Sequence, residues 1–320
     1  MISYGNYKKF NREERVVMMK HVTFKNANIE MKGDLYTQEN FDESKKYPAI
    51  VAVHPGGAVK EQVSGLYSKR MAEMGYIALA FDASHQGESG GEPRYLENPT
   101  ERVEDIRSAI DYLSTLSYVD MEKVGVLGIC AGGGYSINAA LTEKRIKAVA
   151  TISAFDIGAG FRGDGMLGGL EATLETLNKV AAMRSAQTNG EDSLYITYVP
   201  NTEEEAKANP MVLMKEAYDY YRTPRAQHPN STNKLLFTSL DKIIAFSAFG
   251  FVPTLLTQPI LAIVGSEANT KGFSENAIEL ANSPKELFEV KGATHIAMYD
   301  VPEYVNQAVN KLGEFFGGNL

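Results

Sequence analysis

The chain of 320 residues holds a single cysteine and no tryptophan. One cysteine rules out an internal disulfide and a thiolate metal cluster. No apolar run approaches the roughly 18 residues that a membrane helix needs. The longest candidate, Ile243–Val252, is broken by Ser247 and Gly250. Positive charge is not in excess: 32 Lys and Arg stand against 40 Asp and Glu, a net charge of −8. That balance disfavours nucleic acid and anionic membranes as partners. There is no internal repeat and no low-complexity tract. The opening run MISYGNYKKFNREERVV is charged but lacks a following apolar core, so it does not read as a signal peptide. The sequon Asn230-Ser231-Thr232 is then a chance match, and a reducing, cytoplasmic setting is expected. No H-E-x-x-H motif or Cys/His ligand spacing points to a metal, and no cofactor is expected. A nucleotide-binding reading of Gly128–Gly134 fails because the second glycine of G-x-G-x-x-G would fall on Cys130. What is present is an ordinary globular composition, 44% apolar and 22% charged.

Two early runs, Val22–Phe24 and Ile29–Tyr36, read as antiparallel strands joined through Asn26–Asn28. A different pattern follows. Ala49–Val53, Ile77–Phe81, Val124–Ile129 and Ala148–Ser153 are short apolar runs of the kind buried on both faces of a sheet. Between them, Ser64–Met74, Glu101–Leu116 and Tyr135–Leu141 have helical spacing. Repeated strand–helix units predict an α/β fold with a mostly parallel twisted sheet and helices on both faces. The rhythm lapses after Ser153. It resumes with a strand at Ile260–Val264, a helix at Phe273–Ala281, a strand at Leu287–Val290 and a helix at Val305–Phe316. A structureless loop of that length is implausible. Helical spacing over Leu167–Met183 and Glu203–Tyr221 makes residues 156–251 a helical insertion and a candidate lid, with residues 1–155 and 252–320 as the core.

The chemistry centres on Cys130. The segment Gly128-Ile129-Cys130-Ala131-Gly132 follows a predicted strand and opens a predicted helix. Its G-x-C-x-G turn is a nucleophile elbow with Cys in place of Ser. The turn holds the nucleophile in a strained conformation, and glycines two residues to either side avoid a collision across it. The start of the helix directs N–H groups at the sulfur and is expected to favour thiolate. An oxyanion hole then needs two donors. One is the N–H of Ala131, and the other comes from the loop His54-Pro55-Gly56-Gly57-Ala58, through Gly56, Gly57 or Ala58. The base is expected to be a histidine after the last strand, which selects His295 from His21, His54, His85, His228 and His295. His54 and His85 read as structural supports. The residue that orients His295 should follow the Ile260–Val264 strand, in Gly265-Ser266-Glu267-Ala268-Asn269-Thr270. Asn269 and Glu267 are the candidates, with Asp156 as a further option. Asn can hold an imidazole by accepting from Nδ1–H, as in Cys-His-Asn proteases.

This order of motifs resembles the dienelactone-hydrolase-like group of α/β-hydrolases. The order runs from HPGGA through FDASHQGESGG to GICAGGG, a helical insertion and a late His. The pattern GICAGGGY with Tyr220-Tyr221-Arg222-Thr223-Pro224-Arg225 is similar to bacterial hydrolases of unassigned substrate and to fungal polyketide transferases and thiohydrolases. The resemblance implies an α/β-hydrolase fold with a lid and a Cys–His acyl-enzyme. It implies cleavage of a small ester, lactone or thioester, with acyl transfer as the alternative and a non-catalytic binding protein as a further one. Asn269 stands where the group carries Asp. The insertion offers Tyr195, Tyr198, Tyr220 and Tyr221 as pocket walls, and Arg222 and Arg225 as partners for an anionic substrate group. The expected partner is a small acyl substrate, and a homo-oligomer is compatible with the sequence.

Overall fold

The computed structural model describes residues 16–162 and 166–320. Most of the charged N-terminal run therefore lies outside the described residues. The chain begins with β1 (Val17–Asn26), β2 (Ile29–Gln38), β3 (Tyr47–Val53), α1 (Val63–Glu73), β4 (Ile77–Phe81), α2 (Pro99–Ser114), β5 (Val119–Ile129), α3 (Ala131–Thr142) and β6 (Ile146–Ile152). Next come α4 (Ile157–Phe161), α5 (Leu170–Thr188), β7 (Tyr195–Ile196), α6 (Glu203–Ala208), α7 (Val212–Arg222), β8 (Leu235–Leu236) and α8 (Leu240–Ala245). It closes with α9 (Val252–Leu255), β9 (Ile260–Gly265), α10 (Lys271–Leu280), β10 (Lys285–Val290), α11 (Ala297–Asp300) and α12 (Pro302–Asn319).

Eight strands form one sheet in the order β1-β2-β4-β3-β5-β6-β9-β10. β1 and β2 pair antiparallel, β2 meets β4 antiparallel, and every later pairing is parallel. The continuous apolar runs are thereby explained: β4 and β9 are buried at every position. One face packs Val103, Ile106 and Ile110 of α2 with Tyr135 and Ile137 of α3. The other packs Tyr67 and Met71 of α1 with Val305, Val309, Leu312 and Phe316 of α12. Because the central strands are parallel, the loops after β3, β4, β5, β9 and β10 open at one carboxyl edge, where open α/β sheets build their sites.

Residues 156–251 differ from the expectation in three ways. The spacing over Glu203–Tyr221 suggests one helix, but Asn209-Pro210 divides it into α6 and α7. Proline lacks the N–H that a continuous helix would need and restricts the residue before it. A two-stranded antiparallel ribbon, Tyr195–Ile196 against Leu235–Leu236, also appears. Two-residue strands are too short to show alternation. α5 starts at Leu170 rather than Leu167 because Gly168 and Gly169 take φ of +83° and +117°.

Candidate active site

Cys130 stands between β5 and α3 with φ +53° and ψ −122°, a conformation that costs energy for any residue with a Cβ. Three backbone hydrogen bonds hold it there. Its N–H donates to Ile152 O (3.0 Å), and its carbonyl accepts from Gly133 N–H (2.8 Å) and Phe155 N–H (3.0 Å). The flanking glycines are steric necessities. A Cβ on Gly128 would lie 2.3 Å from Gly132 O, and one on Gly132 would lie 2.3 Å from Val53 O.

The expected pull of the helix start towards thiolate is opposed by burial. Burial pushes the Cys130 thiol up to about 11, against the opposing pull of the Tyr299 hydroxyl and the Ala131 N–H. Desolvation outweighs the helix end because the start of α3 packs directly against the sheet. The base is shifted in the matching direction: burial alone pushes His295 down to about 4. Burial thus works against the charged form of both the thiol and the imidazole.

His295 is 1% exposed and both ring nitrogens are engaged. Nδ1 meets Thr270 Oγ1 at 2.5 Å, and Nε2 meets the Tyr299 hydroxyl at 3.1 Å. The side chain in contact with Nδ1 is thus Thr270, which is buried. Asn269 and Glu267 are exposed, with Glu267 accepting from Ser266 Oγ at 3.0 Å instead. The loop after β9 turns its alternate residues to solvent, so the neighbour of the expected Asn faces inward. Asp156 is spent elsewhere, capping α4 through Ala159 N–H (3.1 Å) and accepting from Ala248 N–H (3.1 Å).

The loop after β3 is braced from below. His54 is fully buried; its Nδ1 donates to Pro55 O (2.6 Å) and its Nε2 accepts from Ala83 N–H (3.1 Å). Burial beside Arg102 holds His54 well below the usual imidazole range. Ala58 N–H closes a turn onto Pro55 O (3.3 Å), which narrows this loop's oxyanion donors to Gly56 and Gly57. His85 is pinned between Glu101 (2.9 Å) and Pro93 O (3.0 Å).

Residues 195–233 reach over this edge. The Tyr198 ring lies on the glycines: a Cβ on Gly57 would come within 2.7 Å of it, and one on Gly56 within 3.2 Å. Asn233 Oδ1 fixes this strap by accepting from Tyr198 and Val199 N–H (3.1 and 3.0 Å), and Ser231 Oγ donates to Gly57 O (2.8 Å). Tyr198 also walls an open cleft of about 330 Å³ with Met166, Val199, Pro200, Met211 and Met214. Among the other insertion residues, Tyr221 is buried beside Cys130 and Tyr299. Tyr220 stands one ring further back, edge-on to both Tyr221 and Tyr299. Tyr195 is exposed and meets Tyr95 edge-on. Arg222 is half-buried. Arg225 is spoken for, gripping Asp300 through two nitrogens (2.6 and 2.8 Å) and Asp219 through a third contact (2.8 Å).

Sequence reasoning missed Thr270 and Tyr299, and also a buried charge cluster beneath the oxyanion loop. Glu97, fully buried, accepts from Arg102 (3.2 Å), Tyr135 (2.5 Å), Tyr198 (3.0 Å) and Gln86. Arg102 in turn donates to His54 O at 2.8 Å. No local pattern marks Glu97; it is one glutamate among many until the fold surrounds it. Glu61, Asp82 and Glu88 lie close enough to share a cation, but the Lys60 ammonium already sits among them at 2.6, 3.1 and 2.5 Å.

A strained residue at a strand–helix elbow, a glycine loop after a neighbouring strand and a histidine after the last strand define an α/β-hydrolase. Comparison narrows the class: the chain belongs to the dienelactone hydrolase family, whose model matches residues 34–209. It is 42% identical over 308 residues to the uncharacterized protein YcjY of Escherichia coli (strain K12), covering 95% of this chain and 100% of that one. The crystal structure of the hypothetical protein PA2218 from Pseudomonas aeruginosa superposes with a TM-score of 0.88 at 34% identity, covering 100% of both chains. The acyltransferase drtE of Aspergillus calidoustus is 25% identical over 287 residues, 86% of this chain and 88% of that one. No helix among the described residues is long and apolar enough to cross a membrane.

Proposed function

We propose that this hydrolase cleaves a small ester, lactone or thioester through an acyl-enzyme on Cys130. The observation that carries the reading is the strained elbow, which holds Cys130 at the carboxyl edge of the sheet, the edge that also carries His295 and the Gly56–Gly57 loop. In this reading the sulfur attacks the acyl carbonyl as its proton moves towards His295. The developing oxyanion is held by Ala131 N–H and an N–H of Gly56 or Gly57. The alcohol or thiol leaves with the proton that His295 returns, and water then releases the acid and restores the thiol. Burial disfavours the charged form of both partners, which supports a proton that moves during attack rather than before it. The buried Tyr221 hydroxyl is offered to a polar atom of the substrate, and the apolar residues around Tyr198 to its acyl part.

Acyl transfer is the second reading. It is favoured by the strap that covers the oxyanion loop, which limits water, and by the similarity to drtE. Product analysis with a butyryl thioester separates the two. Release of free acid with or without added alcohol marks a hydrolase, whereas diversion of product into the alcohol ester marks a transferase. Turnover that survives in Cys130→Ala contradicts both.

A further inference from the structure

We propose that Tyr299 is a catalytic residue that passes the proton between Cys130 and His295, so that acylation runs through a phenol relay rather than a direct thiol–imidazole contact. The proposal rests on the Cys130 acyl-enzyme reading. Its geometric basis is the position of one hydroxyl. The imidazole nitrogen that a base would use, Nε2 of His295, meets the Tyr299 hydroxyl at 3.1 Å, while Nδ1 is occupied by Thr270. The same hydroxyl faces the Cys130 sulfur and favours its ionised form. Thus it stands between nucleophile and base.

The placement is rigid. His295 and Tyr299 are four residues apart, and the one-turn helix α11 carries Tyr299 back to the histidine. Tyr67 donates to Met298 O at 2.8 Å and anchors that turn. The Tyr220 ring packs edge-on against Tyr299, with centroids 5.2 Å apart. Tyr299 itself is 1% exposed. A residue needed only to fill this space has no use for a hydroxyl, since burying one without function carries a desolvation cost. Burial keeps the phenol protonated, so it can accept and donate at once.

The step balances. With Nδ1–H donating to Thr270, Nε2 is the free acceptor. The Cys130 S–H bond breaks and its proton bonds to the Tyr299 oxygen, while the original Tyr299 proton bonds to Nε2. The sulfur electron pair forms the C–S bond and the carbonyl π pair moves onto oxygen. Tyr299 ends neutral and His295 ends as imidazolium. When the tetrahedral intermediate collapses, the carbonyl re-forms, the bond to the leaving group breaks with its electron pair on the leaving oxygen or sulfur, and that atom takes the Tyr299 proton while Nε2–H of His295 replaces it on the phenol.

The test is single-turnover acylation by p-nitrophenyl butyrate in mixtures of H2O and D2O. In the wild type, two protons in flight give a curved dependence of rate on deuterium fraction. In Tyr299→Phe the relay is cut: acylation falls about 10²-fold and the dependence becomes linear. An unchanged curvature in Tyr299→Phe, whatever its rate, overturns the relay. A second variant guards against misfolding. Tyr299→3,5-difluorotyrosine keeps the shape and acidifies the phenol, so the alkaline limb of the acylation profile should move to lower pH. A limb that does not move contradicts the relay. Cys130→Ala runs alongside. If it acylates like wild type, the acyl-enzyme reading fails, and that result is distinct from failure of the relay.

Discussion

The two ends of the reacting line are built by different means. At the thiol end, backbone geometry does the positioning: Cys130 is held by its own N–H and carbonyl, and Gly128 and Gly132 exist to let chains pass within contact. At the imidazole end, side chains do it: Thr270 and Tyr299 grip His295 from two separate elements. The first kind of device is written in local spacing, because a sharp turn demands particular residues at fixed offsets. The second is written only in three dimensions. Which side chain of a loop turns inward depends on how that loop leaves the sheet.

This contrast can be sharpened by experiment. Gly132→Ala should cost about 3 kcal/mol or more, since its Cβ would lie 2.3 Å from a backbone oxygen that cannot yield. Gly272→Ala is the control. It sits in α10 with open space around it and should stabilise by about 0.5–1 kcal/mol. Urea midpoints measure both, and equal shifts would break the claim that the elbow is a steric device.

The resting thiol gives the next effect. With Cys130 pushed up to about 11, the thiolate fraction is small at neutral pH and grows as pH rises. Alkylation by iodoacetamide should therefore climb about tenfold per pH unit from about pH 7 to about pH 10. A plateau near neutrality would mean a preformed ion pair instead.

At the other end, Thr270→Ala should slow acylation about tenfold by freeing the imidazole to tilt. Thr270→Asp makes the complementary test. A carboxylate beside Nδ1 raises the His295 pKa from about 4, and the base form is lost below that pKa. The variant's rate should thus fall as pH drops through the neutral range, where the wild-type rate is unaffected by His295. The smallest effect belongs to Asn269→Ala and Glu267→Ala. Both residues are exposed, and each change should stay within about 0.5 kcal/mol in stability and about twofold in rate. A loss of activity in either would restore it as the orienting residue.

Legibility in the sequence follows the same division. The parallel sheet was readable because β3, β4 and β9 are apolar at successive positions, and the elbow because glycine spacing is local. Chain order singled out His295, which the fold buries in the segment after β10. Thr270 was not, because periodicity cannot tell which of Glu267, Asn269 and Thr270 faces inward on an irregular loop. Glu97 escaped notice because nothing near it signals burial; its partners Arg102, Tyr135 and Tyr198 come from α2, α3 and the strap. The opposing effect of burial on the thiol was not readable, because the helix end is visible in sequence while the depth of burial is not.

The central claim is that Cys130 carries the acyl group. Intact-protein mass after brief exposure to p-nitrophenyl butyrate tests it most directly. The account predicts one butyryl increment on the wild type, mapped to the peptide containing Cys130, and none on Cys130→Ala. A butyryl increment of equal yield on Cys130→Ala would contradict it.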